Sequence, residues 1–175
     1  MNRWIFYKVL CFVLFISSGV SAADITEIRK LYKEAPDNED KAKELWKKLA
    51  EEENLSPLLL AYKGATRAIL AKHTWMPPKK YSYAKEGIRF LHEAVKKEGE
   101  NIEIRYLRFT IEYHLPSFLG LSKDQEEDKQ AFLNYMTKRK SYSIQESYFK
   151  EMAGFFIQSG KCSEDEIKTI QSEID

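Results

Sequence analysis

Apolar residues recur at intervals of three and four along most of the chain, and proline and glycine residues separate the segments that share this spacing. Such spacing places the apolar side chains on one face of an α-helix. The separating residues are Pro36, Pro57, Pro77, Pro78, Gly99, Pro116, Gly120 and Gly160. Beyond residue 22 the chain has a single valine, Val95, and no sustained alternation of apolar and polar residues. The pattern therefore predicts an all-α fold.

Local signals divide the pattern into eight predicted helices. Ser56 followed by Pro57 is an N-cap with proline in the first turn, and Ser163 with Glu166 three residues later is a capping box. The acidic run DQEED suits the positive end of a helix. The predicted helices are Asp24–Ala35, Asn38–Glu53, Pro57–His73, Tyr83–Lys97, Ile102–Leu115, Lys123–Arg139, Ile144–Gln158 and a last helix capped by Ser163. The longest predicted connection is TWMPPKKYS.

The order of long and short connections favours antiparallel helix pairs stacked in a row. In EGIRFLHEAVKKEGENIEIRYLRF, Gly87, Leu91 and Ala94 form a small, large, small pattern that is followed by a turn. This segment resembles the second helix and turn of a tetratricopeptide (TPR) repeat, and residues 42–50 form a looser copy of it. The resemblance implies a short TPR-like right-handed array of about eight helices, forming a single domain over residues 23–175.

The N-terminus has the layout of an export signal. Arg3 and Lys8 supply positive charge before the apolar run VLCFVLFISSGV, and VSA at 20–22 supplies small residues for cleavage. A membrane anchor is the alternative, but spanning a membrane needs roughly 20 apolar residues. We therefore expect residues 1–22 to be a signal peptide. The protein is then exported to the periplasm or the extracellular space, with no stable membrane insertion after cleavage.

Two further segments, IRKLYKEA and LRF…PSFLG, resemble a group of small exported bacterial helical proteins that have no assigned activity. Removal of the signal peptide would leave 153 of the 175 residues, enough for one domain with a core. The whole chain carries 28 Lys and Arg residues against 27 Asp and Glu residues, and loss of Arg3 and Lys8 leaves it nearly neutral. A nucleic-acid partner is not expected, because such proteins carry excess positive charge. Cys162 alone remains, so no internal disulfide can form.

No spacing predicts a catalytic or metal centre. His92 and Glu93 would begin the HExxH motif of a zinc protease, but position 96 is Lys. Ser117 lacks the G-x-S-x-G turn of a hydrolase serine. We therefore expect a non-enzymatic protein with no cofactor and no metal. His73 and His114 each end a helix, where a His side chain can bond a free carbonyl group. The alternative is a small-ligand binder or an enzyme that uses a pocket around these two His residues.

A polar stripe crosses the otherwise apolar helix predicted at Ile102–Leu115, because Arg105, Arg108 and Glu112 recur at helical spacing. In a TPR-like array this helix would share a concave side with the third helix, which carries Lys63 and Arg67. Arginine can hold a carboxylate through two parallel hydrogen bonds. The sequence predicts a groove for an acidic segment or chain terminus of a protein or peptide partner. The predicted binding residues are Tyr62, Lys63, Arg67, Arg105, Tyr106, Arg108 and Glu112.

The alternative is a stripe that faces water, with Arg108 and Glu112 forming an ordinary pair within the helix. Aromatic residues are also frequent in the connections, at Trp75, Tyr81, Tyr83 and Phe118. We expect them to pack over the ends of helix pairs and close the core, whereas an exposed aromatic cluster would indicate an interface. A homodimer joined through the last helix, IKTIQSEI, is a further alternative. The sequence leaves the oligomeric state open.

Overall fold

The structure, a computed structural model, describes residues 22–138 and 144–174. Within these two ranges the chain forms eight α-helices and no strand, which confirms the predicted all-α fold. The helices are α1 (Ala22–Glu34), α2 (Glu39–Ala50), α3 (Pro57–His73), α4 (Pro77–Lys97), α5 (Ile102–His114), α6 (Gln125–Lys138), α7 (Glu146–Gln158) and α8 (Glu164–Ile174). A short 3₁₀ helix, Ser117–Leu119, follows α5. The predicted signal peptide lies, except for Ala22, outside the described residues.

Side-chain caps fix several helix starts, as the sequence predicts. The Ser56 hydroxyl accepts a hydrogen bond from the backbone N–H of Leu59 at 3.3 Å. At α8 the N–H of Ser163 donates to Glu166 Oε2 at 2.7 Å, and the N–H of Glu166 donates to the Ser163 hydroxyl at 3.3 Å. Such a cap stabilises a helix by about 1 kcal/mol. None of the described helices is long and apolar enough to cross a membrane.

The start of α4 differs from the prediction, because the helix begins at Pro77 and not at Tyr83. Pro77 and Pro78 occupy the first helical turn, where proline loses no hydrogen bond and its fixed φ suits the helix. Every residue from Trp75 to Ser82 is exposed. This part of α4 therefore buries no apolar face, and the helical spacing that reveals the other elements is missing from it.

Two hydrophobic clusters form the core, and α5 contributes to both. The first cluster lies among α1 to α5, and the second lies among α5 to α8. The α5 residues Ile104, Leu107 and Ile111 belong to the first cluster, and Ile102, Tyr106 and Phe109 belong to the second. All residues of α5 from Ile102 to Glu112 are buried except Arg105. A helix that is packed on both sides explains why this segment is so apolar.

The closest helix contact joins α3 and α4, which run antiparallel. A Cβ atom added at Gly64 would lie 2.7 Å from the carbonyl oxygen of Gly87, and one added at Gly87 would lie 2.6 Å from that of Gly64. Both distances are shorter than side chains tolerate, so the two glycines allow the backbones to touch. The small residue at position 87, which carries the TPR-like pattern, thus serves a helix crossing.

Candidate functional site

The two arginines of the predicted stripe bind the acidic start of α6. Arg108 is only 4% exposed. Its Nε donates to Asp128 Oδ2 at 2.8 Å and its Nη2 donates to Asp128 Oδ1 at 2.7 Å. Arg105 Nη1 donates to Glu127 Oε1 at 2.6 Å, while its Nε donates to the carbonyl oxygen of Gly99 at 2.7 Å. The stripe therefore ties α5 to α6 within the molecule.

Burial and charge act in opposite directions on these carboxyl groups. Burial raises the pKa of Asp128, and the hydrogen bonds from Arg108 oppose that rise. The hydrogen bond from Arg105 lowers the pKa of Glu127, which is exposed. A shallow pocket of about 400 Å³ adjoins the exposed edge of Arg105, between the start of α5 and α6. The alternative interpretation, a stripe that faces water, is wrong, because Arg108 and Glu112 are buried.

The two tyrosines of the predicted site are buried. The hydroxyl of Tyr62 donates to Glu103 Oε1 at 2.5 Å, and Glu103 also accepts from Arg29 Nε at 2.8 Å. This three-residue contact joins α3, α5 and α1. The ring of Tyr106 packs edge-to-face against that of Phe155, with 5.8 Å between ring centroids. Burial raises the pKa of both phenols, so they stay protonated.

Lys63 and Arg67 lie on a different side of α3, facing α2 and α4. The guanidinium carbon of Arg67 lies 3.6 Å from the ring centroid of Tyr83 and 4.5 Å from that of Trp46. Its Nε donates to Glu86 Oε2 at 2.6 Å. The structure thus does not bring the seven predicted residues onto one open groove. Their role in partner binding stays a prediction.

Glu112, the last residue of the stripe, belongs to a cluster that sequence spacing does not reveal. It meets His92 of α4 and Asp124, which directly precedes α6. The imidazole Nε2 of His92 lies 2.8 Å from Asp124 Oδ2 and 3.7 Å from Glu112 Oε1. The other oxygen of Glu112 accepts the backbone N–H of Asp124 at 2.8 Å. We call these three residues the His–Glu–Asp cluster.

Within this cluster, the buried carboxyl group of Glu112 lacks the full set of hydrogen-bond partners that a buried acid usually has. Glu112 Oε1 is buried and has no hydrogen-bond partner among the described residues. Burial raises the pKa of Glu112 to about 7, and the hydrogen bond from the backbone N–H of Asp124 opposes that rise. One imidazole nitrogen and two carboxylate oxygens within 4.8 Å of one another are donors that can hold a cation. Among the described groups this is where a metal ion could bind.

The other two histidines occupy local, structural positions. His73 Nε2 lies 2.8 Å from the carbonyl oxygen of Ala35, so the ring ties the end of α3 to the end of α1. The ring of His114 packs against those of Tyr113 and Phe155. Desolvation lowers the pKa of His114, and the charge of Lys72 lowers it further. The contact of His73 with a backbone carbonyl is of the kind predicted for it, but the carbonyl belongs to Ala35 after α1 and not to the end of α3.

Large apolar side chains are exposed where α3 ends and α4 begins, and again just after α5. Trp75 is 85% exposed and Phe118 is 86% exposed. Met76 and Tyr81 are also exposed. The expectation that the aromatic connections close the core is therefore wrong for Trp75, Tyr81 and Phe118. We call Trp75, Met76, Tyr81 and Phe118 the aromatic end.

The helix directions place these side chains at one end of the molecule. The hydroxyl of Tyr62, early in α3, bonds Glu103, early in α5, so the two helices start at the same level. At their far ends, Lys72 is close enough for its charge to lower the pKa of His114. Trp75 follows the end of α3, and Phe118 follows the end of α5.

Comparison with known proteins gives no family for this chain. No protein-family model, curated protein or solved structure matches it. Two features of the molecule bear on its function, the aromatic end and the His–Glu–Asp cluster. The first offers apolar area for contact with another molecule, and the second offers ligand atoms for a cation.

Sequence reasoning missed the His–Glu–Asp cluster, and it named most of the aromatic end but expected those side chains to be packed. His92 and Glu112 are 20 residues apart and Glu112 and Asp124 are 12 apart. Only the packing of α4 against α5 and the path of the segment that precedes α6 bring them together. The exposed position of Trp75 follows from the early start of α4 at Pro77. The sequence does contain a signal for this early helix start, since a proline pair is compatible with the first turn of a helix.

Proposed function

We propose that this is an exported, non-enzymatic helical protein that binds a protein or peptide partner at the cell envelope through its aromatic end. The observation that carries the proposal is the exposure of Trp75 and Phe118, at 85% and 86%. Single exposed apolar residues are common, but several large ones at one end of a small domain are typical of an interaction site. Tryptophan is also among the residues that contribute most to binding energy at interfaces.

The positive charge around the aromatic end indicates what kind of partner would bind there. Residues 72–85 include Lys72, Lys79, Lys80 and Lys85 and no acidic residue. Lys79 and Lys80 lie on the exposed first turns of α4, beside Tyr81. A partner segment that combines apolar side chains with carboxylates would complement this surface. An anionic membrane surface also combines apolar and negatively charged groups. The vesicle control of the experiment distinguishes it from a protein partner.

The packing is compatible with a TPR-like array, which remains part of the proposal. The α3 and α4 helices form an antiparallel pair with a close glycine crossing, and α5 packs against this pair. The predicted arginine groove is less favoured as the docking site. Arg105 and Arg108 already bind Glu127 and Asp128, so a partner would have to compete with five charge-assisted hydrogen bonds.

The test replaces Tyr81 with a photo-crosslinking phenylalanine derivative in cells and identifies the cross-linked protein by mass spectrometry. The purified partner is then titrated against the protein and against the Trp75→Ala/Phe118→Ala double variant. Loss of an interface aromatic costs about 2 kcal/mol or more, so the dissociation constant should rise at least roughly 30-fold. Both side chains are exposed, so the fold should be unaffected.

A matched control variant shows whether the loss of binding is specific to the aromatic end. Gln171→Ala lies on the exposed face of α8 and should leave the dissociation constant unchanged. Equal affinity of the double variant and the parent protein would refute the aromatic end as the docking site. Binding to protein-free anionic lipid vesicles that depends on Trp75 and Phe118, with no cross-linked protein, would replace the protein partner by a membrane surface.

A further inference from the structure

The His–Glu–Asp cluster plays no part in the proposed docking, and its geometry supports a separate conclusion. We propose that His92, Glu112 and Asp124 bind one divalent transition-metal ion. The ligands come from α4, from α5 and from the segment that leads into α6, so the ion would join three parts of the molecule. The ligand atoms are His92 Nε2, Glu112 Oε1 and Asp124 Oδ2.

The first argument is the unpaired oxygen. Glu112 is fully buried, and its Oε1 has no hydrogen-bond partner among the described residues. Buried polar atoms are nearly always paired, because losing water without gaining a partner is unfavourable. This oxygen is aimed at His92 Nε2, which lies 3.7 Å away and is too far for a hydrogen bond. A cation between the two atoms would satisfy the oxygen directly.

The second argument is the spacing of the ligand atoms. Zinc bonds to histidine nitrogen and carboxylate oxygen are about 2.0–2.2 Å long, which places tetrahedral ligand atoms roughly 3.4 Å apart. The separation of 3.7 Å between His92 Nε2 and Glu112 Oε1 is close to this value. The separation of 2.8 Å between His92 Nε2 and Asp124 Oδ2 is that of a hydrogen bond. An ion that replaces the shared proton would widen the second distance toward the first.

The third argument is the local balance of charge. Arg105 and Arg108 are the two guanidinium groups of this region, and Arg108 Nη1 lies 3.7 Å from Asp124 Oδ2. The carboxylates are Glu112, Asp124, Glu127 and Asp128. Two negative charges therefore remain when all four acids are ionised and His92 is neutral. A divalent cation cancels this excess, so the nearby Arg108 does not prevent its binding.

The donor set indicates the class of ion. One imidazole and two carboxylates suit zinc, and suit manganese less tightly, because affinity for such sites increases along the first transition series. Calcium takes six to eight oxygen ligands, and this cluster has no such set. His92 is 48% exposed, so ions can enter from solvent and a water molecule can complete the coordination.

The first experiment titrates chelator-treated protein with zinc sulfate and with manganese chloride by calorimetry, and measures bound metal after desalting. We expect one zinc ion per chain. His92→Ala and Asp124→Asn should each weaken zinc binding more than about 100-fold, since even changes to groups behind a ligand cost 10–100-fold. His114→Ala is the matched control and should bind zinc like the parent protein. Equal binding by His92→Ala and His114→Ala would overturn the site.

A second measurement does not depend on the stability of any variant. The protein contains three histidines, His73, His92 and His114, whose ring protons can be followed separately by NMR. Substoichiometric manganese should broaden the His92 signals first, because relaxation by a paramagnetic ion falls steeply with distance. Equal broadening of all three rings, or none at a several-fold excess of ion, would refute the proposal. Neither result bears on partner binding by the aromatic end.

Discussion

The buried pair formed by Arg108 and Asp128 shows at the scale of single residues how position determines the role of a charge. Both side chains are almost completely buried, and two hydrogen bonds join them across α5 and α6. Asp128 depends mainly on Arg108, which gives it two hydrogen bonds where Arg105 gives one at 3.2 Å, because a buried carboxylate that loses water must gain a counter-charge. By contrast, Arg89 and Glu93 form a pair on the surface of α4, where both side chains remain hydrated.

We predict that Arg108→Leu lowers the free energy of unfolding by about 3 kcal/mol, because the buried Asp128 then keeps only the 3.2 Å hydrogen bond from Arg105 Nη1. The double variant Arg108→Leu/Asp128→Leu should recover much of this loss, since no unpaired charge remains. Urea unfolding followed by circular dichroism measures both. The control, Arg89→Leu, should change stability by less than about 1 kcal/mol. An Arg108→Leu effect no larger than that of Arg89→Leu would contradict the assigned role.

Signals confined to one helix start were predictable from the sequence, and contacts between segments were not. Ser56 and the pair Ser163–Glu166 act within their own first turns, so their spacing alone identifies them. Arg108 meets Asp128 from 20 residues away, and only the packing of α5 against α6 decides this. The polar stripe was therefore recognised correctly as a pattern, while its burial could not be derived from the sequence.

At the scale of helices, the crossing of α3 and α4 depends on the absence of a side chain at two positions. The carbonyl oxygen of Gly87 lies 2.7 Å from the point where a Cβ atom would stand at Gly64, and that of Gly64 lies 2.6 Å from the corresponding point at Gly87. The sequence identifies position 87 as small within a repeat-like pattern, but gives no sign that position 64 is its neighbour. In the same way, the early start of α4 at Pro77 could not be derived, because its exposed first turns carry no apolar periodicity.

We predict that Gly87→Ala destabilises the protein by about 1–3 kcal/mol, because the added methyl group meets the Gly64 carbonyl and the Ala68 backbone. This loss should occur although alanine favours a helix by about 1 kcal/mol over glycine. Gly154→Ala, in α7, is the control, since a Cβ there meets nothing within 4 Å. It should stabilise the protein by up to about 1 kcal/mol. Thermal unfolding compares the two, and stabilisation by both would contradict the close crossing.

At the scale of the whole molecule, α5 is, among the described helices, the one that contributes to both cores. Residues on one side of α5 pack with α1 to α4, and residues on the other side pack with α6 to α8. Loss of either core would expose one face of α5 and remove part of the support for the other. The helix that looked like a candidate binding element from its sequence is therefore the central structural element of the fold.

We predict that the two cores unfold together, and that Phe156→Ala tests this. Phe156 stacks on Phe132 with ring centroids 4.3 Å apart and contacts Phe109 of α5 at 4.4 Å, so its truncation should cost about 3–5 kcal/mol. Native-state hydrogen exchange should then show the protection of Leu45 in α2 falling by the same free energy as that of Met152 in α7, because both amides exchange through one global opening. Phe118→Ala, an exposed position, should change neither. Retained protection of Leu45 beside lost protection of Met152 would instead mean that α1 to α5 form a core stable without α6 to α8.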